Sequence, residues 1–415
     1  MKYKYSLLIV ILLIIYGINI FEGSTNIYLI VLSNILILLF LIVRKYNFIL
    51  ILIIIFQWLT YVLFLIIHRY YFILPGSGND DLRFEKLSLN YYYHLAFGAE
   101  VNVFQSSTVY SKILAFFYYL GTPNDLIPGI LNITMHTIAL IFLYKICLLV
   151  LKSNKVALIS VLLFTIYPLT LVNTVITLRE IYVILFILIF TYSILKYHEQ
   201  KKLIYIFISI IAILCGSVFH IGLIGLLLFL AIYFLIFSKV KFNLKIIIFI
   251  LFIVVFFVFI TTTENTKIQS ILNGDENVTT ENDIQSSSRA DYMIASESGG
   301  IVNKFKQEIF FVLKPFPWEI RNISDVVGFG NVLFILLSFL IGLKLYLKSG
   351  NEKILIILLI VGMTYFVFAL GTYNYGSALR HRDKSSMLLL MFACQYFIIH
   401  EKRDVNEYLQ NTKKY

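Results

Sequence analysis

Charge is scarce in this sequence. Asp, Glu, Lys and Arg make up 14 % of its 415 residues, where soluble domains carry about a quarter. Most of the chain therefore has no water-facing globular surface. Cysteine is nearly missing. Cys147, Cys215 and Cys394 are the only three, an odd number with no C-x-x-C spacing, which excludes a disulfide framework and a cysteine metal site. There are six prolines. No Walker A loop, G-x-G-x-x-G, H-E-x-x-H or serine nucleophile elbow occurs, so the nucleotide, zinc and hydrolase chemistries that depend on them have no local signature. What remains is apolar: 60 % of the residues are hydrophobic and the mean hydropathy is +0.88.

Runs such as "FILILIIIFQWLTYVLFLII" (48–67) reach the ~20 residues that cross a bilayer core. They do not alternate apolar and polar residues as barrel strands do, so the expected fold is an all-α polytopic membrane protein. The pattern predicts about twelve spans, near 5–20, 26–43, 48–67, 128–150, 156–172, 179–195, 203–218, 220–237, 244–261, 331–347, 354–370 and 386–399. The first reads as an uncleaved helix, since no small-residue cleavage site follows it. The chain reads as a single multipass domain, 1–415, with two long loops, 68–127 and 262–330, expected to carry short interfacial helices. With the N-terminus in the cytoplasm, 20 of the 34 Lys and Arg residues fall in short cytoplasmic segments against five acids. This is the positive-inside bias, and it predicts both termini inside and both long loops outside. It also accounts for the net charge of +11 without nucleic acid.

That orientation puts every unusual polar cluster, and all six prolines, on the outer side. In "GSGNDDLRFEK" (76–86), Asp80, Asp81, Arg83, Glu85 and Lys86 crowd together. If the segment is helical, Asp81 and Glu85 share a face. The carboxylates then suit either a divalent metal, held by Asp80 and Asp81, or a general base acting on a hydroxyl; the plainer alternative is a solvated, self-paired surface helix. In "TLRE" (177–180), Glu180 favours a helix N-terminus but Arg179 does not, so an anionic ligand is expected beside it. In "GSALRHRDK" (376–384), Arg380 and Arg382 offer guanidinium forks suited to phosphate, with pairing to outer carboxylates as the alternative. Arg289 lies in a Ser- and Gly-rich stretch that reads as a lid or a connector. Trp318, in "KPFPWE" (314–319), suits an interfacial anchor or a sugar-stacking platform. His220 sits at a short outer turn and His136 just inside a span; lone histidines more often pack than react. The sequons at Asn132, Asn277 and Asn322 read as chance matches.

In this order, "DDLRFE", "YP…N…LRE", "FH", "KPFPWE" and a final "YGSALRHR", the clusters resemble bacterial multipass proteins of surface-polysaccharide assembly: O-antigen and capsule repeat-unit polymerases and the related lipid-linked-sugar glycosyltransferases. The resemblance covers roughly residues 76–390. It implies a bacterial cytoplasmic-membrane enzyme whose partners are a polyprenyl (di)phosphate-linked oligosaccharide, membrane lipid and other polysaccharide-export proteins. Lipid-linked-sugar transferases carry an acidic pair directly after the first helix, whereas Asp80 and Asp81 follow the third expected span, so a divalent metal cofactor stays open. The expected chemistry has Asp80, Asp81, Glu85 or Glu180 taking the acceptor proton. Arg83, Arg179, His220, Arg289, Trp318, Arg380 and Arg382 would bind the donor. A transferase adding one sugar, and a non-catalytic flippase for the same lipids, are the alternatives.

Overall fold

The computed structural model describes residues 25–372 and 375–398, apart from Ser106, most of 238–254 and all of 255–300. The expected spans 5–20 and, for the most part, 244–261 lie outside these residues, as does Arg289. Among the described residues the structure is helical, without strands. In chain order the helices are α1 Thr25–Val43, α2 Phe48–Tyr70, α3 Asp80–Phe97, α4 Val109–Tyr119, α5 Ile127–Leu151, α6 Asn154–Ile166, α7 Pro168–Val175, α8 Glu180–Gln200, α9 Leu203–Phe219, α10 Leu226–Phe237, α11 Ile301–Leu313, α12 Ile323–Ser349, α13 Glu352–Leu370 and α14 Tyr375–Ser386.

Six helices, α1, α2, α5, α8, α12 and α13, are long and apolar enough to cross a membrane, so the chain is an integral membrane protein. The described residues do not confirm the expected count of twelve. The 156–172 run is split by Pro168 into α6 and α7, bent by 56°, because proline removes a helical donor and clashes with the preceding turn. Counting that pair as one span gives seven. The 203–218 and 220–237 runs form shorter helices, parted by the 3-10 turn Ile221–Gly225. The last run does not begin a fresh helix at 386. It continues from α14 through a 3-10 turn, Met387–Leu389, into helix 390–398.

The chain forms two compact units. The first comprises residues 1–145 and 157–188, the second 146–156 and 189–415. In the first unit a polar seam runs along α5 through the apolar interior. Thr134 accepts from Asn34 Nδ2 of α1 (2.7 Å), and Thr137 donates to Gln57 of α2 (3.0 Å). His136 lies 3.2 Å from the Tyr61 hydroxyl, itself bonded to the Thr165 carbonyl of α6 (3.1 Å). Such bonds fasten helices where no hydrophobic difference between lipid and side chain holds them together.

In the second unit a Lys-rich end is tied in the same way. Glu199 bridges Lys196 (3.0 Å) and Lys353 (2.9 Å), Lys353 Nζ also donates to the Leu149 carbonyl (3.2 Å), and His198 pairs with Glu352 (3.1 Å). Three short turns, at Lys45 (φ 54°) in the first unit and at Lys152 (φ 53°) and Lys201 (φ 56°) in the second, place a lysine, not a glycine, in the left-handed region. That conformation costs a non-glycine residue about 1–2 kcal/mol, while a cation at a helix C-terminus is favoured by the dipole and serves the positive-inside pattern.

Candidate functional site

The first unit gathers its charged groups where α2 ends and α8 begins. The acidic run is helical, as α3, and its two carboxylates diverge. Asp81 is buried and folds back over the preceding loop, accepting from the Ser77 hydroxyl and from the backbone N–H groups of Gly78 (2.9 Å) and Asn79 (2.9 Å). Gly76 (φ 94°) and Gly78 (φ 103°) supply the turn that brings those groups round. One helical turn further on, Glu85 forms an ion pair with Arg69, the penultimate residue of α2, and accepts from the Thr177 hydroxyl. Arg69 also donates to Thr177 Oγ1 (2.6 Å), closing a three-membered Arg69–Glu85–Thr177 cluster. Asp80 is half-buried and Arg83 is exposed.

Arg179, half-buried, donates to the Ser107 hydroxyl and lies over the Phe84 ring, 5.5 Å from its centroid. Glu180 opens α8 with its carboxylate buried, and its Oε2 has no hydrogen-bond partner among the described residues. Tyr110 and Tyr118 of α4 line this region, and burial pushes both phenols well above their usual range, so they stay neutral donors. Reading the sequence alone missed Arg69 and Thr177. The signal for Arg69 was a cation closing an apolar run, at the end that the expected orientation puts outside.

In the second unit His220 and His381 meet edge to face, with centroids 4.8 Å apart, and both rings pack on Phe368 (4.7 and 5.1 Å). His220 Nδ1 accepts from the Gly222 N–H (3.2 Å). The Thr372 hydroxyl donates to the Phe368 carbonyl (2.7 Å) and sits 2.8 Å from His381 Nδ1. Lys384 is buried with its ammonium 4.9 Å from the Phe368 centroid.

The two arginines of the final cluster part company. Arg380 is half-buried. Arg382 is completely buried and donates to the carbonyls of Lys314 (2.8 Å) and Val312 (3.2 Å), the end of α11. In "KPFPWE", Lys314 pairs with Glu319 (2.8 Å), whose other oxygen accepts from the Phe316 N–H (3.0 Å). This clasp holds Trp318 79 % exposed, stacked on Phe316 at 5.0 Å. Glu308 of α11, which the sequence did not single out, has its carboxyl pushed up to about 8 by burial. Among the described residues no group of three or more His, Cys, Asp or Glu is placed to hold a metal.

No family model and no curated protein sequence matches the chain. Its fold is similar to that of a solved membrane protein, the archaeal oligosaccharyltransferase AglB from Archaeoglobus fulgidus, in complex with an inhibitory peptide and a dolichol-phosphate. The TM-score is 0.54 at 10 % sequence identity, over 88 % of this chain and 52 % of that one. The chain thus spans about half the length of that protein, and the likeness is one of fold.

Proposed function

We propose that the chain transfers glycan from a polyprenyl (di)phosphate carrier at the outer face of the bacterial cytoplasmic membrane, as a repeat-unit polymerase of surface polysaccharide. The observation that carries this reading is the Arg69–Glu85–Thr177 cluster beside Arg179. It is a carboxylate and two guanidinium groups, half-buried, at one end of membrane-spanning helices in a fold like that of an archaeal oligosaccharyltransferase solved with a dolichol-phosphate. Glu85 is the base of this proposal because Asp81 already accepts from three groups of its own loop. An acceptor hydroxyl gives its proton to the Glu85 carboxylate and attacks the anomeric carbon. The bond from that carbon to the phosphate oxygen breaks, and the charge left on the carrier (di)phosphate is held by Arg179 and by Arg69 once Glu85 is neutralised. In the second unit, Arg380 and Trp318 are proposed by themselves as substrate contacts. Arg382 is assigned instead to the end of α11.

The test is Glu85→Gln in a strain lacking the native gene. Polymerisation is expected to fall about 10²–10⁴-fold, the usual contribution of a general base, with the protein still inserted and monodisperse. Wild-type chain length in this variant would remove Glu85 from the chemistry.

A second reading, a carrier for the same lipids, draws support from two features that transporters share: a helix broken at Pro168 and polar side chains along α5 within the bilayer. A carrier would keep wild-type function in Glu85→Gln if the carboxylate serves only its ion pair.

A further inference from the structure

We propose that Asn132 is a positioning residue for the Arg179 site, an inference that rests on the reading just given. Asn132 is completely buried in the second turn of α5. Its side-chain amide reaches three carbonyls in alternation, those of Thr174 (3.1 Å), Ile176 (3.2 Å) and Leu178 (2.9 Å). The backbone leaves the helix here, and of the three carbonyls that of Ile176 is also met by a main-chain N–H. Ile176, the residue after α7, is extended (ψ 152°), and the Leu178 N–H turns back to the Ile176 carbonyl (2.7 Å). Irregular backbone next to a span has no water to satisfy it and must be bonded by protein. Asn132 Oδ1 in turn accepts from the Tyr110 hydroxyl (3.2 Å). The three carbonyls, which can only accept, fix which end of the amide carries its donors, and so leave Oδ1 facing the Tyr110 hydroxyl.

The consequence lies in what this stretch presents. Thr177, between two of the bonded carbonyls, gives its hydroxyl proton to Glu85, and Arg179 follows directly. The Tyr110 ring packs edge-on against Phe84 (5.3 Å), the ring beneath Arg179. One buried amide therefore sets the hydroxyl on Glu85 and the guanidinium at once, through Tyr110 on one side and three carbonyls on the other. The same burial removes Asn132 from any role as a glycosylation acceptor, although it heads an N-I-T sequon.

The experiment reads the segment's position without using activity. Purified full-length protein carrying Cys215→Ser and Arg179→Cys is labelled with a thiol reagent, alone and with Asn132→Asp, which keeps the size and the acceptor but loses both donors. Labelling at position 179 is expected to rise about tenfold or more, since local opening follows the lost hydrogen bonds. Leu131→Ala, a cavity in the same turn of α5, is the control and should leave the rate unchanged at equal distance below its Tm. Should Asn132→Asp fail to fold, Tyr110→Phe removes only the hydroxyl that holds Asn132 Oδ1 and should raise labelling in the same direction. Unchanged labelling in the folded variants, or an equal rise in Leu131→Ala, overturns the positioning role. If labelling rises while Asn132→Asp, with Arg179 intact, still makes wild-type glycan, the segment is positioned by Asn132 and the functional reading is what fails.

Discussion

Glu85, paired with Arg69, and Glu308, half-buried on α11, are two carboxylates that packing sets apart, and the sequence exposed only one. Glu85 belongs to a charge cluster visible by eye, and its helical spacing from Asp81 was readable. That Asp81 would turn back onto its own loop was not, because the outcome depends on two glycines adopting positive φ, a backbone property that residue type permits without requiring. Glu308 stands in an ordinary amphipathic stretch, and nothing local marks the burial that tertiary packing imposes on it. That burial makes a pH prediction. Its folded pKa, about 8, exceeds the usual value of 4.5, so the unfolded chain releases this proton first. The stability that protonated Glu308 contributes is complete below about pH 4.5 and is lost as pH rises towards 8. Tm should therefore decline across that window, and Glu308→Gln should flatten the decline. Parallel pH profiles for the two proteins would assign the effect to other groups.

Among the elements, long uncharged runs were legible because a span needs little beyond length and apolarity: α2, α5, α8 and α13 lie close to where hydropathy puts them. Breaks were less legible. Pro168 was visible, yet its 56° bend depends on what packs around it. The final cluster reads as a phosphate site by composition, while in the structure α14 turns Arg382 inward to close the end of α11, where a cation meets unpaired carbonyls. Replacing it with methionine, which keeps much of its bulk, should expose what it does there. Arg382→Met is expected to lower stability by about 1.5–3 kcal/mol, the worth of a hydrogen bond to a charged donor, read as a drop in Tm in detergent or nanodiscs. An unchanged Tm would free Arg382 for a ligand-binding role.

At the scale of the whole molecule, six helices among the described residues, or seven with the bent pair as one span, are long and apolar enough to cross a membrane, and along the sequence the short basic segments fall asymmetrically, at alternate connections. The positive-inside bias turns that asymmetry into an orientation. In a Cys215→Ser background, Glu100→Cys, exposed beyond α3, should react with an impermeant thiol reagent in intact cells. Ser349→Cys, exposed at the end of α12, should react only after lysis, and the reverse pattern would invert the assignment. The central claim, polymerisation on the outer face, is tested most directly by deleting the gene and sizing both the surface glycan and the lipid-linked pool. The account predicts single repeat units that still reach the surface, with long chains absent. Long chains lacking one sugar would instead identify a side-branch transferase, and units trapped on the cytoplasmic leaflet a flippase. Long chains of normal composition in the deletion strain would contradict the account outright.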